Sequence, residues 1–462
     1  MKKYYILSVI VSWVLLANAQ VSIKPLPKPG YEERIRKHIE NHKVIDTHEH
    51  LMNPERIKSS GMFDFTLLFH HYADDDIKSS GMPKATFEKL LTKSLTVQEK
   101  WEILEPYWEK SFNTAYNRVV SLTAEKLFGI NEINKNTVVE LSEKIQKAYE
   151  SDWFHTVLKD KCNIEYIIND SGDRSFGDQS MISYTKRFGY FRIDSKEDLE
   201  KIGKNRKIKI ESLEDLEQAL TLEFEEEVER GFITVKVGIA YSRTLFFDNV
   251  NEQEAAEVFN KIYNAPNKDF DFKTVKPLSD YMMHQIIELA RKHNKPIQIH
   301  TGLQAGDGNY IENSNPTHLT NLFLQYRDVN FILFHGGYPY GGELASLAKN
   351  FRNVYIDLCW LYIISPSYSK RYLHEWLETI PANKIMGFGG DYHNVENVYG
   401  HLLFAKEIIG NVLIEKVENG YFSEKEALKI ASMLLYDNAF NFFQFEKKAI
   451  LNVGVSSTSN NN

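Results

Sequence analysis

The chain has 462 residues, a formal net charge of −8, 43% hydrophobic residues and 13% aromatic residues. This acidity, with no basic stripe, argues against a nucleic-acid binder, while the apolar content is ample for one large core or two domains. Cys162 and Cys359 are the only cysteines, which excludes a disulfide framework; placed near opposite ends of the domain, they are expected as buried free thiols.

The first element is a leader. Lys2-Lys3, the apolar run Tyr4–Leu16 and the small-residue pair in Ala17-Asn18-Ala19 form a secretory signal peptide over residues 1–19. The run is too short to span a bilayer, so the expectation is export to the periplasm or medium, without a membrane anchor. Residues 20–53 then carry the first strand, in Val44-Ile45-Asp46-Thr47-His48-Glu49-His50. Strand side chains alternate, so Asp46, His48 and His50 share one face. Two imidazoles on one face suit a single metal ion, the arrangement a hydrolytic centre uses to lower the pKa of water. Asp46 reads as a group that orients a ligand histidine rather than as a ligand.

Residues 54–159 show no convincing strand and are rich in Lys, Glu, Leu and aromatics, among them Trp101, Tyr107, Trp108, Phe112, Tyr116 and Trp153. They read as a helical insertion over the mouth of the domain. Strand patterns resume at Ile164–Asn169, Gly189–Ile193, Ile233–Ala240, Ile297–His300, Phe331–His335, Val354–Leu358 and Ile385–Phe388. Helical periodicity fills most gaps, as at Leu213–Arg230, Leu278–His293, Pro316–Tyr326 and Gly342–Asn350. With Lys43–Thr47 there are eight strands. The prediction is an α/β fold, a (β/α)8 TIM barrel with a helical insertion after the first strand, its second part running over 160–445. Residues 446–462 read as a disordered tail.

Several strand ends carry metal-type residues. His300 ends the fifth strand, His335 the sixth and Asp391 the eighth, each after an apolar run and before Gly or a loop. A barrel presents its chemistry at such positions, although a turn aspartate or a satisfied core histidine gives the same local pattern. In the fourth strand Ile233, Val235, Val237 and Ile239 alternate with Thr234, Lys236, Gly238 and Ala240, which turns Lys236 inward. A buried lysine is costly unless paired with a carboxylate or converted to a carbamate that ligates metal.

The order His-x-His, Lys, His, His and Asp along these strands resembles the amidohydrolase superfamily. The segments Asp46–His50, Lys236–Arg243 with its Ala-Tyr-x-Arg, His335-Gly336-Gly337-Tyr338-Pro339 and Lys384–Asp391 resemble its amidohydrolase-2 branch, of FluG/nodulin-like type. The resemblance implies a metal-dependent TIM-barrel enzyme in which His48, His50, His300 and Asp391 are metal ligands. His335 would bind a second metal or move a proton. Asp391 would also be the general base. The implied cofactor is a divalent metal, expected to be Zn²⁺, as one ion or as two if Lys236 is a carbamate.

Other residues at the predicted mouth have two readings each. Arg243 either clamps a substrate carboxylate or pairs with a surface acid. Arg118 either reaches down from the insertion or solvates a helix face. Tyr241, Tyr338 and His393 are candidates to touch substrate. The expected function is hydrolysis of an amide-type C–N bond in a small, carboxylate-bearing substrate by metal-activated water. The alternatives are a decarboxylase or uronate-type isomerase on the same scaffold, and a non-catalytic small-molecule binder; a homo-oligomer is compatible with all three. No P-loop, dinucleotide fingerprint or nucleophile elbow is present.

Overall fold

The computed structural model describes residues 28–445; the leader (1–19) and the tail (446–462) lie outside the described residues. Eight parallel strands pair in chain order. They are β1 (Val44–Glu49), β2 (Ile164–Asn169), β3 (Ile182–Lys186), β4 (Thr234–Val237), β5 (Ile297–Ile299), β6 (Phe331–Leu333), β7 (Val354–Asp357) and β8 (Ile385–Met386). Backbone bonds from Thr47 N–H to Phe388 O (3.1 Å), Asp391 N–H to His48 O (2.9 Å) and His50 N–H to Tyr392 O (3.1 Å) join the end of β8 back to β1. The sheet is thereby a TIM barrel, with helices such as Leu213–Glu229, Phe272–Lys292 and Val395–Glu418 outside it.

The third strand corrects the sequence reading. Gly189–Ile193 is not a strand: Gly189–Phe191 forms a 3-10 turn, and the barrel strand lies earlier, at Ile182–Lys186. Its Ile-Ser-Tyr-Thr-Lys pattern turns hydroxyls into the barrel, and Thr185 Oγ1 donates to Asp170 Oδ1 at the mouth (2.5 Å). Polar lining removes the apolar run by which the other strands are recognised. The fourth strand is also shorter than expected, because Ile239–Tyr241 turns into a 3-10 helix. Cys162 and Cys359 are buried free thiols, one just before β2 and the other just after β7.

Among the described residues no strand lies between Glu49 and Ile164; helices including Ala73–Ser79, Val97–Ser111, Ala115–Phe128 and Val138–Ala148 fill that interval. They begin where local chemistry supplies starts, as at Thr96, whose side chain and Glu99 form a reciprocal capping box. The helices are fixed to the barrel by polar contacts. Asn394 Nδ2 donates to Leu67 O (3.2 Å) and Asn397 Nδ2 to Leu68 O (2.9 Å).

Glu396 is a third anchor: its carboxyl accepts from Trp153 Nε1–H (2.9 Å) and the Tyr149 hydroxyl (3.4 Å). Burial raises its pKa to about 7. The unfolded chain ionises this group near 4.3, so the native fold loses stability as pH rises from about 4 to 7, by on the order of 3 kcal/mol. Glu396→Gln should remove that slope. Urea unfolding midpoints measured from pH 4 to 8 are expected to show the variant gaining on the native chain through this window and level above it. Parallel curves would refute the assignment.

Candidate metal centre

β1 ends by placing His48 and His50 at the barrel mouth, with rings 4.9 Å apart. Asp391, in the loop after β8, brings Oδ1 to 3.2 Å from His50 Nε2 and 3.6 Å from His48 Nε2. Asp170, directly after β2, lies 3.9 Å from His48 Nε2. A tetrahedral ion with bonds of about 2.1 Å holds its ligand atoms about 3.4 Å apart, so these separations bracket the required spacing. His48 is fully buried, yet neither of its ring nitrogens has a hydrogen-bond partner. His50 Nδ1 is 3.3 Å from the Asp170 carbonyl; a proton donated there leaves the Nε2 lone pair facing Asp391. A buried imidazole without partners and a second with its lone pair directed into the same space fit a divalent cation.

Electrostatics agree with that fit. Burial alone would raise the Asp391 carboxyl, but the His50 contact and the neighbouring His48 and His335 hold it well below the usual carboxylate range. Burial likewise opposes ionisation of Asp170, and Arg187 prevails, keeping its pKa low; Arg187 Nε is 2.7 Å and Nη2 2.5 Å from Asp170 Oδ2. Lys236 points into the barrel as its alternation requires. Its amine lies 3.6 Å from the centre of the Phe334 ring, and burial pushes its pKa down to about 8 against the pull of Asp391 and Asp170.

Beneath the histidines, Asp46 Oδ1 accepts from the backbone N–H of His48 (3.1 Å) and Gly390 (3.2 Å). Glu49 Oε2 accepts from Tyr392 N–H (2.7 Å). These buried acids tie both sides of the centre to one backbone frame; Asp46 reaches the His48 backbone rather than its ring.

His300 and His335 form a second layer. His335 Nε2 is 2.9 Å from His300 Nδ1, and His300 Nε2 is 2.8 Å from the Leu303 carbonyl. Both His300 nitrogens are thereby engaged, one of them with the His335 ring. His335 Nδ1 lies 3.0 Å from Cys359 O and 3.9 Å from Asp391 Oδ2. Burial lowers both rings, His335 to about 4.

The other sequence candidates divide. Tyr241 stays at the mouth: its ring centre is 5.0 Å from that of His300, and its hydroxyl accepts from Ala305 N–H (3.1 Å). His393 is also there, its ring 5.7 Å from His50 and its Nδ1 3.0 Å from the His50 carbonyl. Arg243 is neither a substrate clamp nor a surface residue. It is buried and paired with Asp280 (2.7 Å), and also donates to Ser279 Oγ (2.8 Å) and Phe246 O (2.8 Å). Arg118 is exposed on the helix Ala115–Phe128, consistent with helix-face solvation. Tyr338 packs its ring on Tyr368, with centres 4.7 Å apart, in the β6 loop.

The structure adds residues that the sequence reading passed over. Asp170 follows an apolar strand, the same signal that marked His300 and Asp391. Arg187 follows the misplaced third strand. His71 and Tyr72 come from the insertion and hold left-handed backbone, φ 71° and 84°. Tyr72 stacks on Trp360 at 4.5 Å, and its phenol is raised by burial and by Asp391, to which it hydrogen-bonds. Non-glycine residues with positive φ also carry His335 (63°), Trp360 (64°) and Asp391 (63°).

Residues 217–406 match the amidohydrolase family model, a stretch holding Lys236, His300, His335 and Asp391. That part of the barrel is similar to the amidohydrolase family. Over 179 residues the chain is 30% identical to protein fluG of Emericella nidulans, covering 37% of this chain and 21% of fluG; the match thus spans about a fifth of that protein's length. The barrel fold extends over most of the chain in solved structures. Uronate isomerase from Thermotoga maritima superposes with a TM-score of 0.73 at 18% identity, covering 89% of this chain and 97% of that one. Glucuronate isomerase from Caulobacter crescentus gives 0.72 at 17% identity, with 90% and 94% covered.

Proposed function

We propose that this barrel is a metal-dependent hydrolase acting on an amide-type C–N bond of a small, carboxylate-bearing substrate. The observation that carries it is Asp391, an ionised carboxylate set between the open nitrogens of His48 and His50 and the His335 ring. His48, His50, Asp391 and Asp170 would hold the metal, with Zn²⁺ the expected ion. A divalent ion bound there supplies Lewis acidity and lowers the pKa of water.

The chain's own groups do the rest. Asp391 accepts the proton of the attacking water and returns it to the leaving nitrogen. Tyr72, hydrogen-bonded to Asp391, fixes the carboxylate's direction. Arg187 has a side chain 49% exposed at the mouth and is the cation placed to receive a substrate carboxylate, the part that Arg243 cannot take. Trp360 and Tyr72 wall the site with aromatic surface.

A second reading is a uronate-type isomerase. It is favoured by the uronate isomerase superposition, which includes nearly the whole of that chain. In that case Asp391 moves a proton between neighbouring carbons rather than activating water. Turnover of an amide and uronate panel in ¹⁸O-labelled water separates the two. One ¹⁸O per product carboxyl is expected for hydrolysis. An aldose-to-ketose shift without the label that cleavage would introduce makes the isomerase reading correct.

A further inference from the structure

His401 lies on the helix Val395–Glu418, outside the barrel, and is fully buried. Its ring packs among Phe388, Tyr362 and Tyr392, with centres 5.2, 5.9 and 6.2 Å away. Nδ1 is 3.1 Å from the Gly390 carbonyl oxygen, while Nε2 is buried without a partner. A carbonyl only accepts, so the proton of the neutral ring sits on Nδ1 and is donated to Gly390. Burial keeps the ring neutral, lowering its pKa to about 4. For stability alone an apolar side chain would serve better here, since it would meet the same aromatics without burying a bare nitrogen. What the imidazole contributes is one N–H at one carbonyl.

That carbonyl belongs to the peptide leading into Asp391. The N–H of the same peptide donates to His48 O (2.9 Å). Both ends of a single peptide are thereby fixed, one by β1 and the other by His401. The fixing matters because Asp391 holds φ 63°, a region that residues with a Cβ rarely occupy. Turning the peptide over would return φ to the negative side with little change in the chain path. The N–Cα bond of Asp391 would tilt with it, and the carboxylate would be re-aimed. Such a flip breaks the His48 and His401 bonds together, so these two bonds hold the strained form. The bonds from Gly390 N–H to Asp46 and from Tyr392 N–H to Glu49 belong to the neighbouring peptides and do not oppose it.

We infer that His401 is a positioning residue: its Nδ1–H, acting through the Gly390 carbonyl, holds the peptide that aims the Asp391 carboxylate at His48 and His50. This role presupposes the metal centre proposed above and adds an outer helix to its frame. The same helix carries Glu396 and Asn397, which with Asn394 just before it dock the insertion. The insertion and the Asp391 turn therefore share one support.

The test compares His401→Leu with His401→Asn in the full chain. Asn places an N–H close to where Nδ1 stands; Leu has nearly the same shape and no donor. Each chain is stripped with chelator, titrated with Co²⁺ and followed by visible cobalt absorption, with urea midpoints measured on the stripped chains. His401→Leu is expected to bind Co²⁺ about 10- to 100-fold more weakly than the native chain, the scale of losing a support behind a metal ligand, and to alter the cobalt spectrum. His401→Asn should stay close to native in both, with urea midpoints similar for the two variants, a split that a purely structural role would not produce. If the Leu variant fails to fold, His401→Gln takes its place; its amide reaches the Nε2 position instead, so it should fall short as Leu does. Equal binding and spectra in the native chain and both variants overturn the positioning role and leave the metal centre intact. Weakening by Leu and Asn alike also overturns it, since the donor then plays no part. A native chain that takes up no cobalt overturns the metal centre and the positioning role together.

Discussion

Asp391→Asn is expected to lower kcat/KM by about 10³-fold, the scale of losing a positioned acid–base group. The amide is isosteric but cannot accept the proton, and it neutralises the one carboxylate shared by His48, His50 and His335. Metal content should fall as well, because a neutral oxygen is a weaker ligand than a carboxylate. The measurement pairs initial rates on the substrate found in the panel with metal per chain by elemental analysis. Turnover within about tenfold of the native chain, with metal retained, would remove Asp391 from its role.

The second large effect is structural. Gly302 follows β5 with φ +77°, and a Cβ there would sit 2.4 Å from the Tyr338 carbonyl oxygen and 2.5 Å from the Gly337 carbonyl carbon. The obstacle is backbone, which cannot rotate away, and an L-residue at this φ is itself strained. Gly302→Ala should therefore destabilise the fold by about 3 kcal/mol or more. The β5 and β6 loops must part, and these are the loops that hold His300 against His335. Urea unfolding should show a lower midpoint, and the variant should lose activity beyond what its folded fraction explains. A midpoint shift below about 1 kcal/mol would mean that the two loops are not rigidly packed.

The barrel was legible because seven of its strands announce themselves as apolar runs, and because chemistry sits where those runs stop. His48, His50, His335 and Asp391 were found that way. Lys236 was found from alternation alone. The rule failed where a strand is lined with hydroxyls: β3 hid behind Ser183 and Thr185, and with it went Arg187. Asp170 obeyed the rule and was passed over, since one carboxylate after Asn169 carries no motif. Arg243 misled because its sequence neighbourhood matches a mouth position. What it touches, Asp280 on a distant helix, is set by tertiary packing. His71 and Tyr72 had no local signal, being two aromatics among many in a helical stretch. Their place over Asp391 depends on how the insertion docks through Asn394, Asn397 and Glu396.

His335, Trp360 and Asp391 each sit in left-handed backbone at the end of a strand, a conformation that side chains other than glycine rarely occupy. The directions of these groups are thus written in main-chain torsions, not in rotamers that a neighbour could reset. Copying the histidines and the aspartate onto another eight-stranded scaffold would leave them aimed elsewhere. The unit that carries the chemistry between proteins is the turn itself: residues 334–337, 358–361 and 389–392, exchanged whole. Random mutagenesis should meet the same boundary, tolerating change on the helices outside the barrel and little in these three corners.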